Sequence, residues 1–379
     1  MPTTPSARVS SIEISLIRQI NALATPLSVN LGLGEPNIEP DRELREMASA
    51  VAESGSWRYT ANAGDMALRR SIAESLTKRI DPQSELCVTA GTEEALFAIM
   101  QAYVGPGDEI LVPDPGFVSY RTVAEMAGAT VKSYSIDPEQ WTLSVDALAS
   151  QVTPATKLLV VNSPSNPLGS VIDAVSLQRL ADLAAERDFL IVSDEVYSEL
   201  YYDERPTSML GMGDNVIVVN GMSKSHSMTG LRLGWVLADE PLMRSIVKAH
   251  QYIATCASAF SQLLAKQVLD NREWSSRWLA GVRQQLGLQR AAALAAIEQH
   301  LQVAIPAPAG AFYAFAPVPT CDTLSLAKSL ATDAGVLTIP GVAFGAGGEG
   351  FLRISYAAEP HVVSSGIERI GRYLSERDR

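Results

Sequence analysis

Cysteine is scarce: Cys87, Cys256 and Cys321 are the only three in 379 residues, and they lie far apart. That excludes a disulfide framework and the paired spacing of a zinc site, and it fits a reducing cytosol, so a cytoplasmic location is expected. Histidine is nearly as rare, and His250, His300 and His361 show no metal-ligand spacing, so no metal is expected. Positive charge is short as well, with 30 Lys and Arg against 42 Asp and Glu and a net charge of −12. Broad contact with nucleic acid or an anionic membrane surface is therefore disfavoured. No apolar run reaches the roughly 18 residues that would span a bilayer, and the first residues lack a basic start followed by an apolar core, so no processed leader is expected. Neither a repeat of fixed period nor a low-complexity tract is visible.

What is present is apolar material, 47% of the residues, in a chain long enough for two or three packed units. Between about 90 and 240, helical stretches alternate with short β-branched runs at 109–112, 130–135, 157–161, 189–193, 216–219 and 234–237. Several runs, such as LLVV before Asn162 and FLIV before Ser193, are apolar nearly throughout, as strands covered on both faces are. The pattern predicts a doubly wound α/β sheet, largely parallel. An alanine-rich helical region follows, to about 300, and then short strands at 310–315, 336–339 and 351–355 with a closing helix, which together read as a smaller α+β unit. Near the N-terminus, Ile12, Leu16, Ile17 and Ile20 recur at helical spacing behind Ser10 and Ser11 and predict a short amphipathic helix.

Polar residues directly after apolar strands are the ones to weigh, because open α/β sheets bind ligands beyond the carboxyl ends of their strands. Four clusters qualify. Thr89–Ala95 (TAGTEEA) is either a plain helix cap or a helix start able to hold a phosphate. Asn162–Gly169 (NSPSNPLG) is either a turn chosen for shape or a rigid loop that aims the Asn166 amide into a cleft. In Ser193–Tyr197 (SDEVY), a carboxylate ends a buried strand and needs a cation or good hydrogen bonds, whether its role is structural or functional. In Gly221–Gly234 (GMSKSHSMTGLRLG), Lys224 follows VIVV closely among small residues. A partly desolvated amine there can attack a carbonyl, and Arg232 can hold a phosphate through two parallel hydrogen bonds.

In this order, Gly91-Thr92, Asn166, Asp194, Tyr197, Lys224 and Arg232 resemble the class I/II aminotransferases, the fold-type-I pyridoxal-phosphate enzymes. The resemblance spans nearly the whole chain. It runs from LGLGEP (31–36) and Arg58-Tyr59-Thr60 with Gly64 to FLRISYA (351–357), and SKSHSMTGLRLG is its most specific part. The resemblance implies a large domain (46–280) with a mostly parallel seven-stranded sheet, an N-terminal arm contributing to the small domain (1–45), and a C-terminal small domain (281–379). It also implies pyridoxal 5'-phosphate as cofactor, an L-amino acid and a 2-oxo acid such as 2-oxoglutarate as substrates of a ping-pong transamination, and a homodimer with sites at the subunit interface.

By the same resemblance, Lys224 carries the cofactor covalently and shuttles the Cα proton, and Asp194 faces the pyridine nitrogen. Tyr197 and Asn166 meet the ring oxygen, and Phe117 stacks on the ring where the family often has tyrosine. Gly91, Thr92, Ser223 and Arg232 hold the phosphate, with Tyr59 arriving from the second subunit. Arg353 binds the substrate carboxylate, aided by Asn166 and the backbone at Gly34. The chain departs from the family at Gly221, where serine is frequent. Glu93 stands where some dicarboxylate-specific members have lysine, which disfavours a substrate with a side-chain carboxylate. The stretch 247–258 resembles a bacterial branch with diverse amino donors. Lyases, decarboxylases and cyclases share the fold and the lysine and form the alternative reading. A non-enzymatic sensor would need a basic DNA-binding segment ahead of the pattern. Two motifs are set aside: Gly345–Gly350 (GAGGEG) fits a dinucleotide fingerprint but precedes a strand, reading as a flexible turn, and His226 is expected to point away from the cofactor.

Overall fold

A computed structural model describes residues 3–377 apart from Ser11 and Ser56. Its strands are β1 (Val29–Asn30), β2 (Leu86–Thr89), β3 (Glu109–Asp114), β4 (Thr130–Ser135), β5 (Thr156–Asn162), β6 (Leu190–Asp194), β7 (Val216–Gly221), β8 (Gly234–Leu237), β9 (Tyr313–Pro317), β10 (Val336–Leu337), β11 (Ile339–Pro340) and β12 (Phe351–Ser355). Seven of them form one sheet in the order β2-β8-β7-β6-β5-β3-β4, parallel except for β8, which runs antiparallel to both neighbours.

The LLVV run shows how the sequence builds this sheet. Side chains alternate between faces along a strand. Leu159 and Val161 enter one apolar layer, with Leu177, Leu180 and Ala184 of the helix Ala174–Arg187. Leu158 and Val160 enter the other, with Leu96 and Ile99 of Thr92–Tyr103 and Met243 and Ile246 of Glu240–Ile253. All four strand residues are fully buried. A strand covered on both faces has no polar side to alternate, so its first polar residue marks the end that faces the loops.

The smaller sheet is antiparallel, β11-β12-β9, and β1 pairs in parallel with β10. The segment after β1 is laid against β12 by the bond from the Ser355 backbone N–H to the Leu31 oxygen, at 2.7 Å. A 30-residue helix, Arg272–Leu301, runs between the two regions and packs on the C-terminal helix Pro360–Arg377. The GAGGEG segment holds one 3₁₀ turn, Ala346–Gly348, leading toward β12, and the Gly347 N–H donates to Asp114 at 2.8 Å.

The N-terminal helix differs from expectation. It begins at Leu16, where the Ser15 hydroxyl accepts the Arg18 N–H, and Ile12 lies outside it. The expected cap Ser11 lies outside the described residues. Ile20 is buried as the spacing requires.

Asp41 joins two helices. One carboxylate oxygen caps Arg42–Ser54 through the Leu44 N–H at 2.8 Å, and the other accepts the buried Trp274 indole N–H at 2.9 Å. Asp41→Ala is expected to lower stability by about 1–3 kcal/mol, and Asp41→Asn, which keeps one acceptor, by less. Urea unfolding midpoints check this, and an unchanged midpoint in the alanine variant would contradict it.

Candidate active site

The polar ends of the central strands converge. Asn162 closes β5, Asp194 closes β6, and the two are paired in register. The Asn162 amide donates to the Asp194 carbonyl at 2.9 Å and accepts the Asn166 N–H at 2.7 Å, tying the proline-flanked turn to the end of β6. Asn166 is thereby held against Arg353, whose Nη1 donates to Asn166 Oδ1 at 3.0 Å.

Asp194 is buried, and both its donors are neutral: Tyr120 Oη at 2.7 Å on Oδ2 and the Val196 N–H at 3.2 Å on Oδ1. Burial raises its pKa to about 6 against the pull of those bonds. Burial and the adjacent carboxylate push the Tyr120 phenol well above its ordinary range, so it stays protonated and donating. A carboxylate out of water normally has a cationic partner. Lys224 and Asp194 attract one another, but only as a minor influence on each.

Arg353 shows the converse. It is 1% exposed, Nη2 donates to the Gly32 oxygen at 2.6 Å, and Nε has no hydrogen-bond partner. Its acceptors are all neutral oxygens, and burial lowers its pKa. Aromatic rings flank the guanidinium, Tyr313 at 4.5 Å and Phe344 at 4.9 Å from their centroids. The register explains Tyr313: it faces Ser355, two positions from the Phe315–Arg353 pair, so it is a diagonal neighbour on one face. Tyr313 also shares a 2.8 Å hydrogen bond with Tyr197, which is buried.

Lys224 lies three residues past the end of β7. Its Nζ donates to the Gly34 oxygen at 2.6 Å. Burial lowers its pKa to about 8; Glu35 opposes that shift, while Arg353 and Arg232 add to it. The loop rests on aromatic rings: Trp278 donates its indole N–H to the Ser225 oxygen at 3.0 Å, and His226 stacks on Trp274. His226 bonds Ser225 and Ser275, and burial lowers its pKa to about 4, so it is a neutral structural group.

Gly91 caps the helix Thr92–Tyr103 at φ +88°, and a Cβ there would lie 2.6 Å from Arg232 Nη2. Ser223 is buried in the turn after β7, and Gly221 faces Gly234 across the β7–β8 pair. Phe117 is half-buried at the start of Val118–Ala127, edge-on to Tyr120. Tyr59 stands apart, 86% exposed, and Trp57 and Tyr252 are exposed as well. Sequence reasoning missed Tyr120 and Tyr313 and assigned Asn162 no role. Two signals were available: Tyr120 in the first turn of the helix that Phe117 caps, and Asn162 ending an apolar strand as Asp194 does.

A family model for class I and II aminotransferases matches residues 26–370. The chain belongs to this family. It is 34% identical to an aspartate aminotransferase of Pyrococcus abyssi over 98% of both chains, and 32% identical to aromatic-amino-acid aminotransferase 2 of Thermococcus litoralis with the same coverage. The solved structure of a Thermus thermophilus aspartate aminotransferase with maleate superposes with a TM-score of 0.93 at 31% identity, covering 98% of this chain and 100% of that one. This aminotransferase thus has the fold-type-I architecture and uses pyridoxal 5'-phosphate. Among its described residues no helix is long and apolar enough to cross a membrane, and no cluster fit to hold a metal occurs.

The unbalanced Asp194 charge has a measurable consequence in the apoprotein. Its folded pKa of about 6 lies above the ordinary 3.8, so ionising it opposes folding, fully above pH 6 and not at all below pH 3.8. Asp194→Asn is expected to raise the apoprotein melting temperature by a few degrees at pH 8, with the gain vanishing as pH falls toward 4. A variant less stable than wild type at pH 8 would contradict this.

Proposed function

We propose that this aminotransferase moves an amino group between an L-amino acid and a 2-oxo acid, 2-oxoglutarate or glutamate serving as one partner, in two half-reactions at the site just described. The reading is carried by Asp194, a buried acid whose own donors are neutral and which suits the protonated ring nitrogen of pyridoxal phosphate. The rest of the donor set fits the same molecule. Lys224 offers an amine for the aldehyde, and the Gly91 turn, lacking a side chain and covered by Arg232, offers space and positive potential for the phosphate.

When bound, the cofactor supplies the electron sink for breaking the substrate Cα–H bond. In this proposal Asp194 keeps the ring nitrogen protonated, with Tyr120 and Val196 fixing the carboxylate. Tyr197 and Asn166 donate to the ring oxygen, and Phe117 covers the ring face. Gly91, Thr92, Ser223 and Arg232 hold the phosphate. Arg353 takes the substrate α-carboxylate, for which its neutral partners leave the charge uncompensated, and Asn166 and Gly34 line the same end. Lys224, with a pKa near 8, is suited to take the proton from Cα and return it one position along. Because Glu93 raises the Asp194 pKa, its negative charge reaches the site, which supports a donor without a side-chain carboxylate.

We infer a cytoplasmic homodimer. The exposed Trp57, Tyr59 and Tyr252 lie on segments joined by the bond from the Asn62 amide to the Thr255 oxygen at 2.7 Å, and in a dimer this apolar surface is covered while Tyr59 reaches the other subunit's phosphate. The division at about 45 and 280 is likewise proposed, with the helix Arg272–Leu301 as a strut common to both domains.

Purified protein given an amino acid and 2-oxoglutarate should form the new 2-oxo acid and glutamate in equal amounts, with phenylalanine or methionine a better donor than aspartate. Pyruvate with ammonia instead would mean lyase chemistry. Lys224→Ala should lose the cofactor adduct that borohydride fixes to the wild-type chain, and an adduct persisting in the variant would overturn that role. Arg353→Lys should raise the KM for the amino donor by about tenfold or more with the cofactor retained, because a point charge replaces the planar fork.

A further inference from the structure

Behind the Gly91 turn lies an ionisable pair that the proposed chemistry does not use. Glu94 stands in the first turn of the helix Thr92–Tyr103, and its Oε2 accepts the Ala90 backbone N–H at 3.1 Å. His250, on Glu240–Ile253, is wholly buried, with Nδ1 3.0 Å from Glu94 Oε1 and 3.1 Å from Oε2. An ionised carboxylate only accepts, so Nδ1 carries the proton. His250 Nε2 has no hydrogen-bond partner. Leaving a buried ring nitrogen unpaired is unfavourable, and an apolar side chain would fill the place without that cost. The imidazole's polar contact is therefore with Glu94, and that contact needs a reason.

Position supplies one. A glutamate at the third helical residue ordinarily swings back to the N–H of the cap residue, here Gly91. In this chain its carboxylate sits one residue beyond that, on Ala90, with the imidazole gripping both oxygens. Freed from His250, the carboxylate would be drawn to the Gly91 amide by the same positive helix end that attracts a phosphate.

We propose that His250 is a positioning residue for cofactor binding: by clamping Glu94 on the Ala90 amide, it keeps an internal anion out of the phosphate seat at Gly91 and Thr92. This rests on that seat as assigned above.

The test is titration of apoprotein with pyridoxal phosphate and, separately, with unphosphorylated pyridoxal, followed by absorbance, alongside the apoprotein unfolding midpoint. His250→Leu should weaken pyridoxal phosphate by about tenfold, an effect the size of one hydrogen bond to a charged group, and leave pyridoxal unchanged. His250→Asn, whose amide N–H can replace Nδ1–H, should stay close to wild type. Glu94→Gln alone should bind as tightly as wild type or more so, and combined with His250→Leu it should restore the affinity. The clamp is overturned if His250→Leu binds like wild type, if it weakens both ligands equally, or if Glu94→Gln fails to restore binding. Should the leucine variant not fold, a Glu94→Gln protein tenfold weaker than wild type overturns it too. Wild type binding the two ligands equally would instead remove the phosphate seat itself, and the clamp with it.

Discussion

Two opposite charges are held out of water without partners of their own, and the rest of the structure accommodates that. Asp194 is met by a phenol and an amide N–H, and Arg353 by a carbonyl and a side-chain amide. Neither arrangement stabilises the protein by itself, because desolvation of an ion is repaid only by a counter-ion or a dense set of hydrogen bonds. In the function proposed here, each charge is left for something that arrives from outside: a cationic ring nitrogen at one end, a carboxylate at the other. Tyr197 stands within the field of both, which affect its phenol in opposite senses.

The scaffold tolerates this because its central strands are buried on both faces. Residues 158–161 are fully buried, and each apolar layer is closed by helices. Burial of that extent contributes tens of kcal/mol in gross terms, so a few spent at strand ends do not unfold the chain. The same construction fixes geometry. Asn162 and Asp194 leave adjacent strands in register, so the bond between them holds the turn carrying Asn166 at a set height over the sheet.

Much of this was legible in the chain itself. An apolar run ending in a polar residue identified Asp194 and marked Asn162 without giving it a role, and small residues around Lys224 identified the loop that burial later shows to depress its amine. Other parts were hidden for physical reasons. Tyr120 and Tyr313 look like ordinary core aromatics, and only the hydrogen bond from Tyr120 to Asp194 at the end of β6, or the diagonal across β9 and β12, shows what their hydroxyls and rings touch. The short β2 at the sheet's edge was not among the expected strands, being four residues beside a turn. Helix onset at Leu16 depended on which of several serines turned its hydroxyl toward the backbone. Donor identity was not readable because a side-chain pocket is a matter of shape, and shape is not periodic in sequence.

Gly221 illustrates how a departure from a family pattern can be read physically. Taken as a missing serine, it suggests a lost hydroxyl and a looser phosphate seat. In the fold, a Cβ at 221 would lie 2.8 Å from the Leu233 oxygen and 3.0 Å from the Gly234 Cα, while one at 234 would lie 2.8 Å from the Thr92 nitrogen. Three backbones, at Gly91, Gly221 and Gly234, approach more closely than side chains allow, and together they bring the start of Thr92–Tyr103 against the end of β7 and the beginning of β8. A serine at 221 would have to push β8, and Arg232 just before it, away from the helix start. The hydroxyl gained would then be set against a guanidinium displaced from Gly91, so glycine at this position belongs with the close approach that lets Arg232 cover the turn.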